Sequence, residues 1–419
     1  MKITADLHLH GRYSQATSKN LSIKNLATYS AYKGTTLLGT GDFTHPKWIE
    51  EIKSELTEDE TGILKTRDGF NFILSTEISL IYSQGGKGRR IHNIVLAPSL
   101  DVVRQITEYL LTKGRVDYDG RPIFKISCVE FTENLKQISP DTEIIPAHAW
   151  TPWFSLFGSM SGFDSVKEAF GDQEKNIHAI ETGLSSDPAM NWRLSQLDKY
   201  SIVSFSDAHS YWPWRIGREA TVFELPRLTY KDLITALKTK EGLVETIEFY
   251  PEEGKYHYDG HRSCNVCLHP RESIKNKKLC PKCGKQLTIG VMHRVEELAD
   301  REEGFKPKGA KPFRNVVPLA ELICAANNIK VASKKMWEVY SPLIKQFGNE
   351  FKIIFDAPEE DLTKHTDEKL KNLILLNRAG KIKMRPGYDG VYGEMILDGK
   401  EKKPLITTPK VVQKGLEEF

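Results

Sequence analysis

The stretch Met1-Lys-Ile-Thr-Ala-Asp-Leu-His-Leu-His-Gly11 decides the fold. Ile3–Leu9 reads as a first strand, and residues at i and i+2 of a strand share a face. His8 and His10 therefore project together from its C-terminal end, where barrel-like α/β folds gather their functional side chains. Ser206-Asp207-Ala208-His209 repeats the arrangement after the apolar run Ile202–Ser206. Two such carboxylate and imidazole pairs, each behind an apolar strand, are hard to explain by packing.

Four further candidates occupy comparable places. Asp42 follows TTLLGTG, Glu77 lies within FILSTEISLI, His92 within RIHNIVLA, and His148 ends EIIPAH. A carboxylate such as Glu77 is costly to bury without a cation or partner. Mixed nitrogen and oxygen ligands without thiolate suit zinc, manganese or iron rather than calcium. Eight such groups exceed what one tetrahedral ion uses. The expectation is two or three divalent ions (Zn2+, Mg2+ or Mn2+) in the barrel. Ions about 3.5–4 Å apart clamp the attacking and leaving oxygens of phosphoryl chemistry.

Outward from these motifs, residues 1–250 alternate β-branched runs with helical periods, which argues for an α/β layer or barrel. Ser22 caps SIKNLATYSAYK, which stops at Gly34; Thr35–Thr40 reads as a strand. Phe70–Ile81 and Arg90–Ala97 read as a strand pair around GGKG. Ser99 caps LDVVRQITEYLLTK, ending at Gly114, and Glu143–Ala147 and His178–Thr182 read as short buried strands. Pro-Glu-Glu-Gly at 251–254 marks a boundary. The expected order is a phosphoesterase-like unit over 1–250, a cysteine module over 257–290, a mostly helical DNA-binding unit over 291–400 and an extended tail over 401–419.

The cysteine module pairs Cys264-x-x-Cys267 with Cys280-x-x-Cys283 across twelve residues. Paired knuckles at this spacing set four thiolates around one structural Zn2+, a zinc ribbon. Cys128 and Cys324 read as buried thiols. Residues 255–290 hold eight Lys/Arg against two Asp/Glu, and 364–385 hold seven against two. Such patches suit phosphate backbones, and exposed tyrosines can stack on bases. Candidate DNA contacts are Lys275, Lys277, Lys278, Lys381, Lys383, Arg385 and Tyr388, with a surface hairpin needing glycine turns as the alternative around 379–393. Trp150, Trp153, Phe154, Phe157, Trp212 and Trp214 lie near the metal motifs in sequence, so each either walls a pocket or packs the core.

The 419 residues carry 59 Lys/Arg and 56 Asp/Glu, a net charge of +3. Any nucleic-acid surface must therefore be a local patch. No apolar run approaches the ~20 residues of a membrane span. The N-terminus lacks a signal peptide's apolar core, so a cytoplasmic, nucleoid-associated protein is expected.

The order HLH, downstream Asp, strand Glu, two single histidines and DAH resembles the PHP superfamily of metal phosphoesterases over residues 1–250. The resemblance implies a distorted β/α barrel. It also implies metal-ligand roles for His8, His10, Asp42, Glu77, His92, His148, Asp207 and His209, with Asp207, His209, His148 and Glu77 as the catalytic set. Many members have His after the second-motif Asp, whereas this chain has Phe43; either Asp42 ligates or His45 takes over. Glu181 is a further candidate ligand, with an ion pair to Arg193 as the alternative. Barrel, ribbon and GVMHRVEELADRE…RPGYDGVYG together resemble the endonuclease Q family along nearly the whole chain. That resemblance implies hydrolysis 5′ of uracil, hypoxanthine, xanthine and abasic sites, leaving 3′-hydroxyl and 5′-phosphate ends, with the lesion base flipped out. Competing expectations are a histidinol-phosphatase-like phosphomonoesterase and a non-catalytic DNA-binding adaptor. Gln413, Leu416 and Phe419 resemble a sliding-clamp box that lacks its second aromatic.

Overall fold

The computed structural model describes residues 1–396, and the clamp-like Gln413, Leu416 and Phe419 lie outside the described residues. Strand β1 (Lys2–Asp6) pairs in parallel with β2 (Leu37–Gly39), and β2 in parallel with β3 (Asn71–Gln84). β3 runs antiparallel to β4 (Lys87–Ala97), and β4 antiparallel to β5 (Glu143–Pro146). β6 (Ala179–Glu181) and β7 (Ser201–Val203) form a separate parallel pair. Single bridges join this pair to the rest, Ile144 to Ile177 on one side and Leu9 to Ala208 on the other. The strands thus close a distorted barrel. Beyond β1, β8 (Ala220–Glu224) and β9 (Leu243–Glu248) extend the sheet antiparallel. β10 (Phe313–Asn315) then adds in parallel to β9.

Local sequence explains the elements. Helix α1 (Ile23–Lys33) starts where the Ser22 side chain accepts from the Asn25 N–H. It ends at Gly34, whose φ of 102° an L side chain rarely adopts. Helix α2 (Leu100–Leu111) is capped by Ser99 and stops two residues short of the sequence reading's last helical residue, Lys113. The β3–β4 hairpin turns at Gly85 and Gly86, both at positive φ, which lets a two-residue loop match the strand twist. β1 is shorter than the sequence suggests. Its pairing ends at Asp6, whose buried carboxylate accepts from the Ser206 and Gly217 N–H groups at 2.9 and 2.8 Å.

The C-terminal helices are α3 (Val291–Leu298), α4 (Leu319–Asn327), α5 (Lys334–Phe347), α6 (Glu359–His365) and α7 (Glu368–Arg378). Val291, Met292 and Val295 of α3 enter the same core as Phe157 and Met190. Leu322, Ile323, Tyr340 and Ile374 share a second core with Val222 and Ile247 of β8 and β9. Between these cores Lys33 Nζ donates to Glu350 Oε1 at 2.6 Å, both side chains buried. Trp212 and Trp214 stack and meet Trp337, so they belong to this junction.

The cysteine module is a hairpin, Asp259–His261 against Val266–Leu268, over a small core of Val266, Cys280 and Leu287. The segment Pro386–Gly393 lies against it. Tyr388 Oη donates to Asn265 Oδ1 at 2.7 Å, and the Asp389 carboxylate accepts from the Arg262 N–H and the Thr288 hydroxyl, each at 2.6 Å. A Cβ on Gly387 or Gly393 would run into the carbonyl oxygens of Gly254 and Glu252, which accounts for those glycines. No helix of the described residues is long and apolar enough to cross a membrane.

Candidate metal centre

The barrel delivers its polar side chains to one end. His8 and His10 follow β1, Asp42 follows β2, Glu77 lies in β3 and His92 in β4; His148 follows β5, Glu181 ends β6 and Asp207 follows β7. Asp42, His148 and Asp207 all have positive φ, at 46°, 29° and 47°. Such backbone persists only where its surroundings over-determine it, and it gathers at functional sites. Gly183 is required behind His148, because a Cβ there would overlap that residue's own Cβ.

Two groups of potential ligands emerge, His8, His10, Glu77 and Asp207 in one and Glu77, His92 and His148 in the other. Glu77 belongs to both. Its Oε1 lies 2.7 Å from His92 Nδ1 and 2.9 Å from His148 Nε2, while its Oε2 lies 3.3 Å from His10 Nε2. Asp207 Oδ1 lies 3.1 Å from His10 Nε2 and 3.6 Å from His8 Nε2. A carboxylate shared between two sets of nitrogen and oxygen donors suits the binding of divalent metal. The fit is supported by His8 Nε2, a buried atom with no hydrogen-bond partner.

Charge is arranged to match. Burial would raise the Glu77 carboxyl, but the charges of Arg121 and His8 hold it well below the ordinary carboxylate range. Asp207 is likewise held low against burial by His8 and His10. Burial pushes His92 down to about 3, so its ring is neutral and able to ligate.

Asp42 and Glu181 stand one step back. Asp42 Oδ1 accepts from His10 Nδ1 at 3.0 Å, and its Oδ2 from the Gly11 N–H and the Ser14 hydroxyl at 2.6 and 2.8 Å. Glu181 Oε1 accepts from His8 Nδ1 at 3.0 Å. Each carboxylate thereby turns its histidine's Nε2 toward the centre, the familiar outer partner of a ligating imidazole. Asp42 is not among the side chains of either ligand group; its carboxylate lies against His10 Nδ1 instead. His45 does not take its place: its ring stacks on Tyr13 at 4.7 Å. Arg193 pairs with Glu296 at 2.7 Å rather than with Glu181. His209 stands at the rim, its Nδ1 3.1 Å from the Asp207 carbonyl and its ring edge-on to His10.

Arg121 was not visible in the sequence. Its Nη1 lies 3.1 Å from Glu77 Oε2, a pairing across 44 residues that only the fold creates. It faces a cavity of about 480 Å3 that also exposes His92, His148 and Asp207 and is walled by Trp153, Phe154, Tyr118 and Ile123. Of the aromatics singled out above, Trp153 and Phe154 reach this cavity, whereas Trp150 and Phe157 are core residues.

In the cysteine module His261, Cys264, Cys280 and Cys283 come together. Cys267 stands apart, opposite Gly260, with its Sγ 3.9 Å from the Pro386 carbonyl. His261 thus stands beside three of the four expected thiols, with Cys267 the one set back from them. Burial opposes ionisation of Cys280, but the Lys282 and Cys283 N–H groups lower its thiol below the ordinary range. Cys128 and Cys324 are buried free thiols. Lys275, Lys277, Lys278, Lys381 and Lys383 are exposed, with Lys278 paired to Glu297 at 3.1 Å. Arg385 lies 3.6 Å from Glu394. Tyr388 differs from the expectation of a stacking ring: it is only 7% exposed because it packs on the ribbon hairpin, whereas Tyr392 is 67% exposed.

A family model described as the MJ0043 C-terminal domain matches residues 318–381. Uncharacterized protein YqxK of Bacillus subtilis is 30% identical over 94% of this chain and 99% of its own length. Uncharacterized protein MJ0043 of Methanocaldococcus jannaschii is 31% identical over 67% of this chain; the chain spans only 35% of that longer protein. Among solved structures, the lesion-specific endonuclease PfuEndoQ from Pyrococcus furiosus superimposes with a TM-score of 0.84 at 31% identity, covering 94% of this chain and 95% of that one. Endonuclease Q in complex with a 27-mer duplex carrying an abasic lesion at the active site gives 0.83 at 32% identity, covering 94% and 96%.

Proposed function

This chain belongs to the endonuclease Q family, and from that premise we propose that it is a DNA repair endonuclease that hydrolyses the backbone at lesions. The finer reading is cleavage 5′ of uracil, hypoxanthine, xanthine or an abasic site, leaving 3′-hydroxyl and 5′-phosphate ends. One observation carries it: the paired ligand groups sharing Glu77 open directly into a cavity walled by aromatic side chains. Phosphate chemistry and a planar base can then be handled side by side.

His8, His10, Glu77, Asp207, His92 and His148 would hold divalent ions, which when bound would supply positive charge for a phosphate and lower the pKa of a bound water. The protein's own groups do the rest. Asp42 and Glu181 fix the imidazoles. Arg121 offers a permanent positive charge to a phosphate oxygen at the cavity, where charge accumulates during phosphoryl transfer. His209, at the rim beside Asp207 and His10, completes the polar edge of the centre. Trp153 and Phe154 offer faces for an extruded base, and extrusion costs least where pairing is already weak. Zinc in the ribbon is structural, and the exposed Lys275, Lys277, Lys381 and Lys383 supply salt-dependent grip on the backbone. The C-terminal Gln413, Leu416 and Phe419 are proposed to meet a sliding clamp, which calorimetry with the tail peptide checks.

The test is denaturing-gel cleavage of labelled duplexes that differ by one uracil, with Asp207→Ala beside the parent. A single cut 5′ of uracil, lost in D207A, supports the reading. Turnover of phosphate monoesters with intact DNA would replace it.

A further inference from the structure

We infer that Met160 is the wedge that enters the base stack when a nucleotide is drawn from the duplex, an inference that rests on the DNA-endonuclease reading. The segment from Thr151 to Phe163 leaves the metal centre three residues after His148. Its interior is fixed. Leu156, Phe157 and Phe163 are fully buried. The Phe157 N–H donates to the Ala149 carbonyl at 2.8 Å, and the Phe163 N–H to that of Leu156 at 2.7 Å. Arg294, from α3, clamps the base of the loop by donating to the carbonyls of Phe157 and Phe163 at 3.0 and 3.2 Å. Gly158 and Gly162 leave no room for a side chain, since a Cβ on either would meet backbone carbonyl oxygens of the same loop.

On this rigid frame Met160 is 61% exposed. Its N–H is bonded at 3.0 Å to the carbonyl of Pro152, the neighbour of the cavity residue Trp153. The tip is therefore tied to the cavity wall. A lone exposed methionine would be unremarked on any surface. Here the side chain is held out by a locked loop whose stem begins at a ligand of the centre, beside the half-exposed Trp153, Tyr118 and Ile123. Apolar wedges, methionine among them, separate base steps in proteins that distort DNA. Methionine is unbranched and polarizable, so it slides between bases and contacts their faces. The site of insertion would be the gap left by the nucleotide whose base occupies the cavity.

The experiment compares cleavage of uracil paired with adenine and of the same strand unpaired, by the parent, Met160→Ala and Met160→Leu. A wedge helps only where a stack must be opened. The paired-to-unpaired rate ratio should fall about tenfold in M160A and recover in M160L. An unchanged ratio overturns the wedge, whether both rates persist or both fall together. A parent that cuts neither strand overturns the endonuclease reading itself, so the two failures are told apart. A 2-aminopurine beside the lesion gives a readout free of cleavage: its brightening on binding should weaken in M160A, and equal brightening counts against the proposal.

Discussion

Glu181 accepts a hydrogen bond from His8 Nδ1 at 3.0 Å, and its second oxygen accepts from the His148 backbone N–H at 2.5 Å. One buried carboxylate thus orients a residue of each ligand group. Glu181→Gln should lower barrel metal affinity by about 10–100-fold, the usual cost of losing such a partner. Metal content after dialysis against graded chelator measures this, with circular dichroism reporting an intact fold.

Glu77 is the residue both ligand groups share. Glu77→Gln should therefore empty the barrel of metal while zinc remains in the ribbon. Elemental analysis distinguishes this from loss of one ion, the result expected for His92→Ala.

The fourth ribbon ligand can be decided by substitution. His261 Nδ1 lies 3.4 Å from Cys283 Sγ, while Cys267 points toward Pro386. His261→Ala should cost more zinc than Cys267→Ser. The opposite order would restore a four-thiolate site.

Lys33 and Glu350 meet across 317 residues, and Glu350 also accepts from the Tyr340 hydroxyl and the Leu319 N–H, each at 3.0 Å. Lys33→Met leaves that carboxylate buried without its cation. A loss of about 3–5 kcal/mol in urea unfolding is expected. K33M combined with Glu350→Gln should recover part of it.

Burial, with the nearby charge of Asp187, raises the Glu248 carboxyl to about 8, outweighing hydrogen bonds from Ser204 and Thr182. The folded chain keeps this proton up to about pH 8, while the unfolded chain releases it near the ordinary 4.5. Stability from this group is therefore full at acid pH and declines as pH rises through that window, by at most about 1.4 kcal/mol per unit. Glu248→Gln should flatten that decline in melts between pH 5 and pH 8.

Much of the site was legible because its ligands follow apolar strands in short motifs, as His8, His10 and Asp207 do. The caps at Ser22 and Ser99 were equally local. What was not legible depended on pairing between distant segments. The contact of Asp42 with His10 Nδ1 joins two strands and has no local signature. Arg121 carries no motif at all, and its meaning comes from Glu77. Tyr388 sits in a basic, glycine-rich stretch that suggests an open surface. The same glycines instead let the backbone close onto the ribbon, which hides the ring.

That closure also orders events during synthesis. Domains tend to fold in the sequence in which they emerge. The strands that carry the metal-centre side chains, β1 to β7, are all made by residue 203, yet the ribbon hairpin waits for Asp389 to satisfy Arg262 and Thr288. A nascent chain therefore carries a nearly finished hydrolytic centre long before the ribbon is seated. Chains interrupted between those points would carry the barrel's clustered side chains with an unseated cysteine module.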